Sequence, residues 1–509
     1  MRMPDRSRCR TLTRSTMATV LCATLAACYG PLKLADPTPT PDHYTEAAPS
    51  VTTPPDDAAL AVWWQQYHDD TMTYVVTTAL AQNQDIRIAA GRLDEARATI
   101  DAARSQLFPT IGAGVDGLRY YGGPTSLEFQ QLLGVNDLTA QMWRGALQAQ
   151  WEVDVFGRGR DRLSATKSLA TAAAGDVEAV RLSVAAAAAD LYINYRGLQQ
   201  QHDLLRASES IASDFVTIAQ KSFTAGVVLS TDIRVAQAGL AQVRARLADV
   251  DVAIAQARLG LENLCALPPG SLTPRLADTG VLPSALPAIA PGQPIDLMRR
   301  RPDLIAAQAR LEASIRQSDA ARKNYWPTFS LAGTLARNGW QLAGQTLAPS
   351  TFWLFNIAAM VPLIDFGARK SQVDASDARA QQALAMYDKT AMTALFDVER
   401  ALARLSRQAE VLGSRREEVA QRNRVLSNVQ RQYAVGDNGR LDIDQSRLAL
   451  LESQSAQVRE QVAQLQAQVA LFRAMGGGWQ ANATPGEHAA ADTTGVRTDT
   501  RTHTQTDTQ

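Results

Sequence analysis

The stretch that decides the fold is Leu147-Gln148-Ala149-Gln150-Trp151-Glu152-Val153-Asp154-Val155-Phe156-Gly157. Its first nine residues alternate apolar and polar at every step, the period of a strand with one apolar and one wet face, and that length suits a tilted membrane strand. Phe156-Gly157 ends the strand, and from Gly157 a helical run continues to about Ser222 without an internal proline. At about 1.5 Å per residue this helix would be roughly 100 Å long, more than a compact globule needs.

The pattern occurs twice. Phe156-Gly157 recurs as Phe366-Gly367, 210 residues later, and Phe223, Gly226 and Asp232 recur at the same offset as Tyr433, Gly436 and Asp442. An upstream block repeats at an offset of 218: Asp85, Arg92, Leu93, Ala103 and Pro109-Thr110 return as Asp303, Arg310, Leu311, Ala321 and Pro327-Thr328. The eight-residue difference between these offsets must lie between Pro109 and Phe156. That segment is therefore a loop between rigid, duplicated units.

Four strands per chain are expected. Trp353, Phe355, Ile357, Ala359, Val361 and Leu363 repeat the apolar face of the opening stretch. Preceding strands alternate through Ile111, Ala113 and Val115 and through Phe329, Leu331 and Leu335. Segments 119–140 and 337–350, rich in Gly, Asn, Gln and Thr, are expected as loops. Each repeat then reads as helix, strand, strand, long helix, turn, helix. Leu163, Ala170, Val177, Val184, Leu191, Leu198, Leu205, Ala212 and Ala219 form an apolar line at every seventh residue, a coiled-coil seam. Its counterpart is Leu384, Ala391, Val398, Leu405, Leu412, Val419 and Leu426, in a different phase. Ala185 to Ala189 are small enough to let neighbouring backbones approach. The chain should reverse at Gly226 and Gly436, with returning helices over 231–264 and 441–474.

Five arginines precede a short apolar stretch, 17–27, too short for the ~20 residues of a membrane-spanning helix. It reads as a signal peptide, ending Leu25-Ala26-Ala27-Cys28, which resembles a bacterial lipobox with Cys28 as the lipidated residue; the alternative is an ordinary secretory signal with a chance cysteine. In such lipoproteins Tyr29 after the cysteine, rather than an aspartate, implies delivery to the outer membrane. Removal of residues 1–27 leaves a formal charge of −4, with no basic bias for nucleic acid. Cys9 and Cys22 leave with the signal, so Cys265 stands alone once Cys28 carries lipid, and no disulfide framework is possible. No remaining apolar run is long enough for a spanning helix, so any membrane crossing must be made by strands.

The expected organisation is a signal over 1–27, a proline-rich lipidated tether over 28–62, a first repeat over 63–266, a proline-rich linker over 267–295, a second repeat over 296–479 and a polar, disordered tail over 480–509. An enzyme is not indicated. His43, His68, His202, His488 and His503 have no metal spacing, no nucleophile motif sits at a strand-to-helix turn, and no cofactor or metal is expected. Asp365-Phe366-Gly367 reads as a strand-to-helix turn, and Gly476-Gly477-Gly478 as a helix stop.

Lipobox, duplicated strands and helical hairpins, Phe-Gly at each strand-to-helix junction, aromatic-x-x-Gly before each hairpin tip and a closing Gly476-Gly477-Gly478-Trp479 together resemble the TolC-type outer-membrane efflux factors, lipoprotein branch (NodT/OprM-like). The similarity covers about 63–479. It implies a mainly α fold with transmembrane β: a homotrimeric channel-tunnel, twelve strands forming a barrel in the outer membrane, continued by a coiled-coil α-helical barrel in the periplasm. It also implies outer-membrane lipid around the barrel, with a periplasmic adaptor and an inner-membrane efflux pump as partners. Four strands alone would leave two open edges in lipid, which favours the same assembly. The rival reading is a lipid-anchored periplasmic coiled-coil protein without a channel.

By the same resemblance the hairpin tips, with Phe223, Gly226 and Val227 on one and Tyr433, Gly436 and Asp437 on the other, face the adaptor. Acidic residues just after the second tip would form a periplasmic gate, and Leu441-Asp442-Ile443-Asp444 occupies that position. Asp444 matches the ring more closely, whereas Asp442 pairs with Asp232 of the first repeat. Two further readings stay open. Both aspartates can stabilise the positive end of the returning helix, and Arg440 can pair with Asp444 one turn later. The lining of a pore has no pocket from which to read a cargo.

Overall fold

The computed structural model describes residues 32–36, 39, 41–46, 57–122, 138–278, 280–284, 291–342 and 345–479. Cys28, its leader and the tail 480–509 lie outside them. In chain order the elements are α1 (Asp57–Ala61), a 3-10 turn (Trp63–Tyr67), α2 (Asp70–Gln82), α3 (Gln84–Ser105), β1 (Thr110–Gly122), β2 (Leu138–Val153), α4 (Arg158–Thr224), α5 (Ser230–Leu264), α6 (Thr273–Leu276), α7 (Pro294–Arg300), α8 (Pro302–Arg322), β3 (Thr328–Leu342), β4 (Gln345–Met360), α9 (Ala368–Ala434) and α10 (Arg440–Ala474). Contacts divide the chain into a unit containing the sheet, 92–173 with 307–388, and an all-helical unit, chiefly 38–91, 174–306 and 389–479.

The sheet is antiparallel in the order β1-β2-β3-β4. Its register carries the alternation seen in the sequence across all four strands. One face stacks Ala113, Leu147, Leu335 and Trp353 in one row and Ile111, Ala149, Gly333 and Phe355 in the next. The other face stacks Thr110, Gln150, Ala332 and Asn356, and further along Asp116, Arg144, Asn338 and Ser350. Within that row Arg144 Nε lies 2.9 Å from Asp116, a half-exposed pair worth under ~1 kcal/mol that fixes register more than stability. Ile111, Val115, Trp353 and Ile357 are all more than half exposed, and the outer edges of β1 and β4 have no neighbouring strand among the described residues.

The strands differ from expectation at their ends. Segment 337–350, expected as a loop, is ladder: Arg337 pairs with Thr351, Asn338 with Ser350 and Trp340 with Leu347, leaving only 343–344 between β3 and β4. Segment 119–140 is likewise mostly strand at its ends, β1 running to Gly122 and β2 starting at Leu138. Alternation fades where side chains on both faces are polar or small, but backbone pairing does not depend on it. At the other end β4 stops at Met360 instead of Leu363, because Pro362 has no N–H to give the ladder. β2 stops at Val153. Asp154 is used instead to accept the Gly159 and Arg160 N–H groups, at 3.0 and 2.9 Å, at the start of α4.

The helical unit has its core where α4 is apolar on every side. Ala185, Ala186, Ala188, Ala189, Tyr192 and Ile193 are all buried, and a helix apolar all round is one surrounded by other elements. Trp63, from the 3-10 turn, stacks on Phe472 of α10 with ring centroids 5.1 Å apart and meets Trp64 and Tyr67 edge on. Every residue of both heptad lines is buried or half-buried. The glycine run does more than stop α10: the Gly478 N–H donates to the Leu60 carbonyl (2.8 Å), and Trp479 Nε1 donates to that of Arg300 (2.9 Å). Arg301 donates to the Ala474 carbonyl (3.2 Å) and pairs with Asp303 (2.7 Å), so a cation closes the negative end of α10.

α4 and α10 approach closely at Gly197, where a Cβ would stand 2.3 Å from Cγ2 of buried Val462. Gly197→Ala should therefore destabilise the unit by about 1–3 kcal/mol despite the better helix propensity of alanine. Adding Val462→Ala should recover most of the loss. Gly91→Ala, with open space around the new methyl, should be neutral or stabilising by up to ~1 kcal/mol. Thermal unfolding followed by the helical circular-dichroism signal tests this; equal behaviour of the Gly197 and Gly91 variants would refute the close approach.

Candidate functional site: hairpin tips and the Asp444 cluster

Both helical hairpins turn by one device, set by the repeated glycine. In the first, the Val227 N–H donates to the Ser222 carbonyl (2.8 Å) and the Gly226 N–H to that of Phe223 (2.9 Å). In the second, Asp437 donates to Gln432 (3.0 Å) and Gly436 to Tyr433 (3.1 Å). These bonds satisfy the last carbonyls of α4 and α9 and need a residue at positive φ, which Gly226 (73°) and Gly436 (88°) supply. With the carbonyls satisfied in the backbone, the tip side chains are left outside. Phe223, Val227, Leu229, Tyr433, Val435 and Leu441 are all exposed, Val227 and Val435 each by 75%.

The returning helices start alike. The Leu229 N–H donates to Asp232 Oδ2 and the Gly439 N–H to Asp442 Oδ2, both at 2.8 Å. Each carboxylate reaches back one turn, satisfies a free N–H and sits at the positive end of its helix. Asp442 is thus used as a helix-end residue, in the manner of Asp232.

Asp444 stands apart. Its side chain is 1% exposed and lies 3.2 Å from Arg440 Nε and 3.8 Å from Arg447 Nη1, while Arg440 also lies 3.8 Å from Asp214 of α4. The hydrogen bond to Asp444 holds the Arg440 guanidinium above its ordinary pKa. Within its own chain Asp444 is therefore an engaged carboxylate, and Arg440 links the start of α10 to α4. Arg440 itself is 57% exposed, so its own contribution is small. Removing both cations would strand a buried charge, the expensive case.

Of the residues singled out in sequence, the structure brings Arg440 and Asp444 together, sets Asp442 on the backbone beside them, and places the others on the two turns. Sequence reasoning missed Arg447, although its spacing three residues after Asp444 was a signal. The tips expected from sequence, Phe223 to Ser230 and Gln432 to Arg440, include Leu229 and Val435 without singling out these exposed apolar residues. Asp214 could not be found, because it comes from another helix 226 residues before Arg440.

A profile described as "Outer membrane efflux protein" matches residues 75–266 and 295–477. The chain is 28% identical over 416 residues to the outer membrane protein OprJ of Pseudomonas aeruginosa, covering 80% of this chain and 84% of OprJ. It is 26% identical over 408 residues to the toluene efflux pump outer membrane protein TtgF of Pseudomonas putida, covering 80% and 83%. Among solved structures it superposes on the outer-membrane channel OprN with a TM-score of 0.75 at 25% identity, over 88% of this chain and all of that one. On the Campylobacter jejuni CmeC outer membrane channel the TM-score is 0.78 at 19% identity, covering 93% and 100%, a likeness of fold.

The two aspartates should separate in hydrogen exchange. Asp442→Ala removes the acceptor for the Gly439 N–H, costs about 1 kcal/mol locally and should speed amide exchange in the first turn of α10. Asp444→Ala should leave that turn protected. Equal acceleration in both variants would remove the distinction.

Proposed function

This chain belongs to the outer membrane efflux protein family, and on that premise we propose that it is the outer-membrane channel of a tripartite exporter. In this reading three copies assemble as a homotrimer, receive substrate through a periplasmic adaptor from an inner-membrane pump, and pass it to the exterior. The observation that carries the proposal is the four-stranded sheet with an apolar face and two unpaired edges. Unpaired backbone groups cost several kcal/mol each in hydrocarbon, so a lone sheet of this kind cannot stand in a membrane. Three copies provide twelve strands and leave no edge. Among the described residues no helix is long and apolar enough to cross a membrane. The channel drives no reaction, and we assign it no catalytic step.

Further parts of the reading rest on the sequence. Cys28 carries the lipid, and the segments 28–62, 63–266, 267–295, 296–479 and 480–509 act as tether, first repeat, linker, second repeat and tail. The exposed apolar tips, with Phe223, Gly226 and Val227 and with Tyr433, Gly436 and Asp437, dock the adaptor, since exposed residues on rigid hairpins suit partner contact. Arg440 and Asp444 latch the periplasmic end, three copies bringing three such pairs around one axis. Asp442 contributes to this gate only through the helix end it holds.

Reconstitution tests the channel and the gate together. The purified trimer should conduct ions in a planar bilayer, and a silent trimer would return the chain to the reading of a lipid-anchored tether. Asp444→Ala should raise single-channel conductance or reduce cation selectivity, because it releases Arg440 and removes a carboxylate from the constriction. Asp232→Ala should leave both at wild-type values. Unchanged conductance and selectivity in the Asp444 variant would make it a helix-packing residue only.

The anchor has its own test. Mass spectrometry of the mature N-terminus should find lipid on Cys28 and none in Cys28→Ser, with partial loss of export because the barrel also holds the protein in the membrane. An unmodified peptide starting elsewhere would defeat the assignment.

A further inference from the structure

The two faces of the sheet divide charge unequally. Its four strands hold three arginines and two carboxylates, with no lysine or histidine. Both carboxylates, Asp116 and Glu152, fall on the polar face, where Asp116 is paired with Arg144 and Glu152 with Arg158. The other two arginines, Arg119 and Arg337, fall on the apolar face, opposite Gln141 and Gly145 of β2. Both are exposed, and neither has an ion-pair partner among the described residues.

Chain order sets their level. α3 and α8 lead into β1 and β3 at one end of the sheet, and α4 and α9 leave β2 and β4 at that same end. Arg119 and Arg337 each stand nine residues from it, counted from Thr110 and Thr328. On the apolar face of β2, Trp151 and Trp143 are eight residues apart, roughly 26 Å along the strand and about 20 Å of height at a tilt of about 40°. This is close to the ~25 Å apolar band that lies between the two aromatic girdles of an outer-membrane barrel. Arg337 is one row inside Trp143 and Arg119 one row beyond it. The two cations thus bracket the girdle on the side away from the helices, where an arginine on a lipid-facing strand costs least.

Gly145 leaves a hollow beside Arg337. A Cβ there would meet nothing within 4 Å, and the depression, about 570 Å³, is lined by Val115, Gly145, Leu147, Leu335, Arg337 and Thr351 among others. Val115 is 86% exposed, and Leu147 and Leu335 are half exposed. Trp143, one row further out, lies across Gly339, where a Cβ would stand 2.1 Å from its Nε1. β2 and β3 are the inner strands, so closing a ring at β1 and β4 leaves the hollow open to lipid. An apolar floor with a guanidinium at its headgroup end suits a molecule with acyl chains and an anionic head. The planar guanidinium fork grips a phosphate through two parallel hydrogen bonds.

We propose that the hollow over Gly145 binds a phosphorylated lipid of the outer leaflet. An acyl chain lies against Val115, Leu147 and Leu335, the phosphate is held by Arg337, and Arg119 stands at the outer edge of the same headgroup layer. This rests on the barrel proposed above, which sets the apolar face in lipid, and adds to it one fixed lipid for each chain.

Lipid A, a glucosamine disaccharide carrying phosphates and acyl chains, is the probe, added to the purified full-length trimer in neutral detergent and counted by native mass spectrometry. Each chain should retain one molecule. Arg337→Gln should weaken retention about tenfold or more, and Arg337→Lys less. Gly145→Trp, which fills the hollow, should abolish retention while the trimer and its conductance persist. Arg144→Gln, on the opposite face, should bind as the wild type does. Lipid A stripped of its phosphates should bind weakly, and equally to wild type and Arg337→Gln. Unchanged retention in Arg337→Gln, or equal retention of the two lipids by wild type, would overturn the site. Displacement of lipid A by inorganic phosphate at equal concentration would make it a site for the free anion and overturn the lipid. A trimer that conducts yet keeps no lipid A loses the site alone, whereas a chain that neither trimerises nor conducts loses the barrel reading with it.

Discussion

An unpaired backbone N–H or C=O in hydrocarbon has nowhere to turn, and the architecture follows from that constraint. Among the described residues the outer edges of β1 and β4 each present a row of such groups, on a sheet with one face of Ile, Val, Trp and Phe. Only other copies of the same edges can satisfy them without a helix or loop to cover the sheet. The chain is built as a part of a ring, and Val115, Trp353 and Ile111, among its most exposed apolar residues, lie on the sheet that the ring would close.

Duplication makes this economical but not uniform. The two hairpins of the sheet share one register as far as Asn338 and Ser350, beyond which β3-β4 shifts by one residue, and the two helical hairpins turn by one set of bonds around Gly226 and Gly436. The repeats differ at particular side chains. Phe156 is packed and Phe366 is bare. Asp232 and Asp442 both hold helix ends, yet only the second repeat places a buried carboxylate, Asp444, between two arginines two residues further on.

That asymmetry is where control of a passage would be expected. A buried aspartate held by partly exposed arginines is stable as long as its partners stay in place, and costly once they leave. Arg440 is also near Asp214 on α4, so a movement of the α10 start relative to α4 must rearrange the same guanidinium. The tips just beyond carry the exposed apolar side chains of Val227, Leu229 and Val435, on which the proposed docking rests.

The sequence by itself determined the duplication, the strand and helix periods, the turning glycines and both heptad lines, because each is a local or periodic property legible in residue order. It placed Asp442 and Arg440 beside Asp444 for the same reason. Strand ends were only partly legible: Pro362 marks one, but the ladder from Arg337 to Leu342 continues through polar residues because backbone bonding does not depend on side-chain polarity. The tertiary structure alone decided which faces are buried. It chose Asp442 for the backbone and Asp444 for the ion pairs, brought Asp214 and Arg447 to the cluster, set Gly197 against Val462, and left Phe366 without the partner that Phe156 has. Those outcomes depend on distances between segments far apart in the chain, which no local pattern encodes.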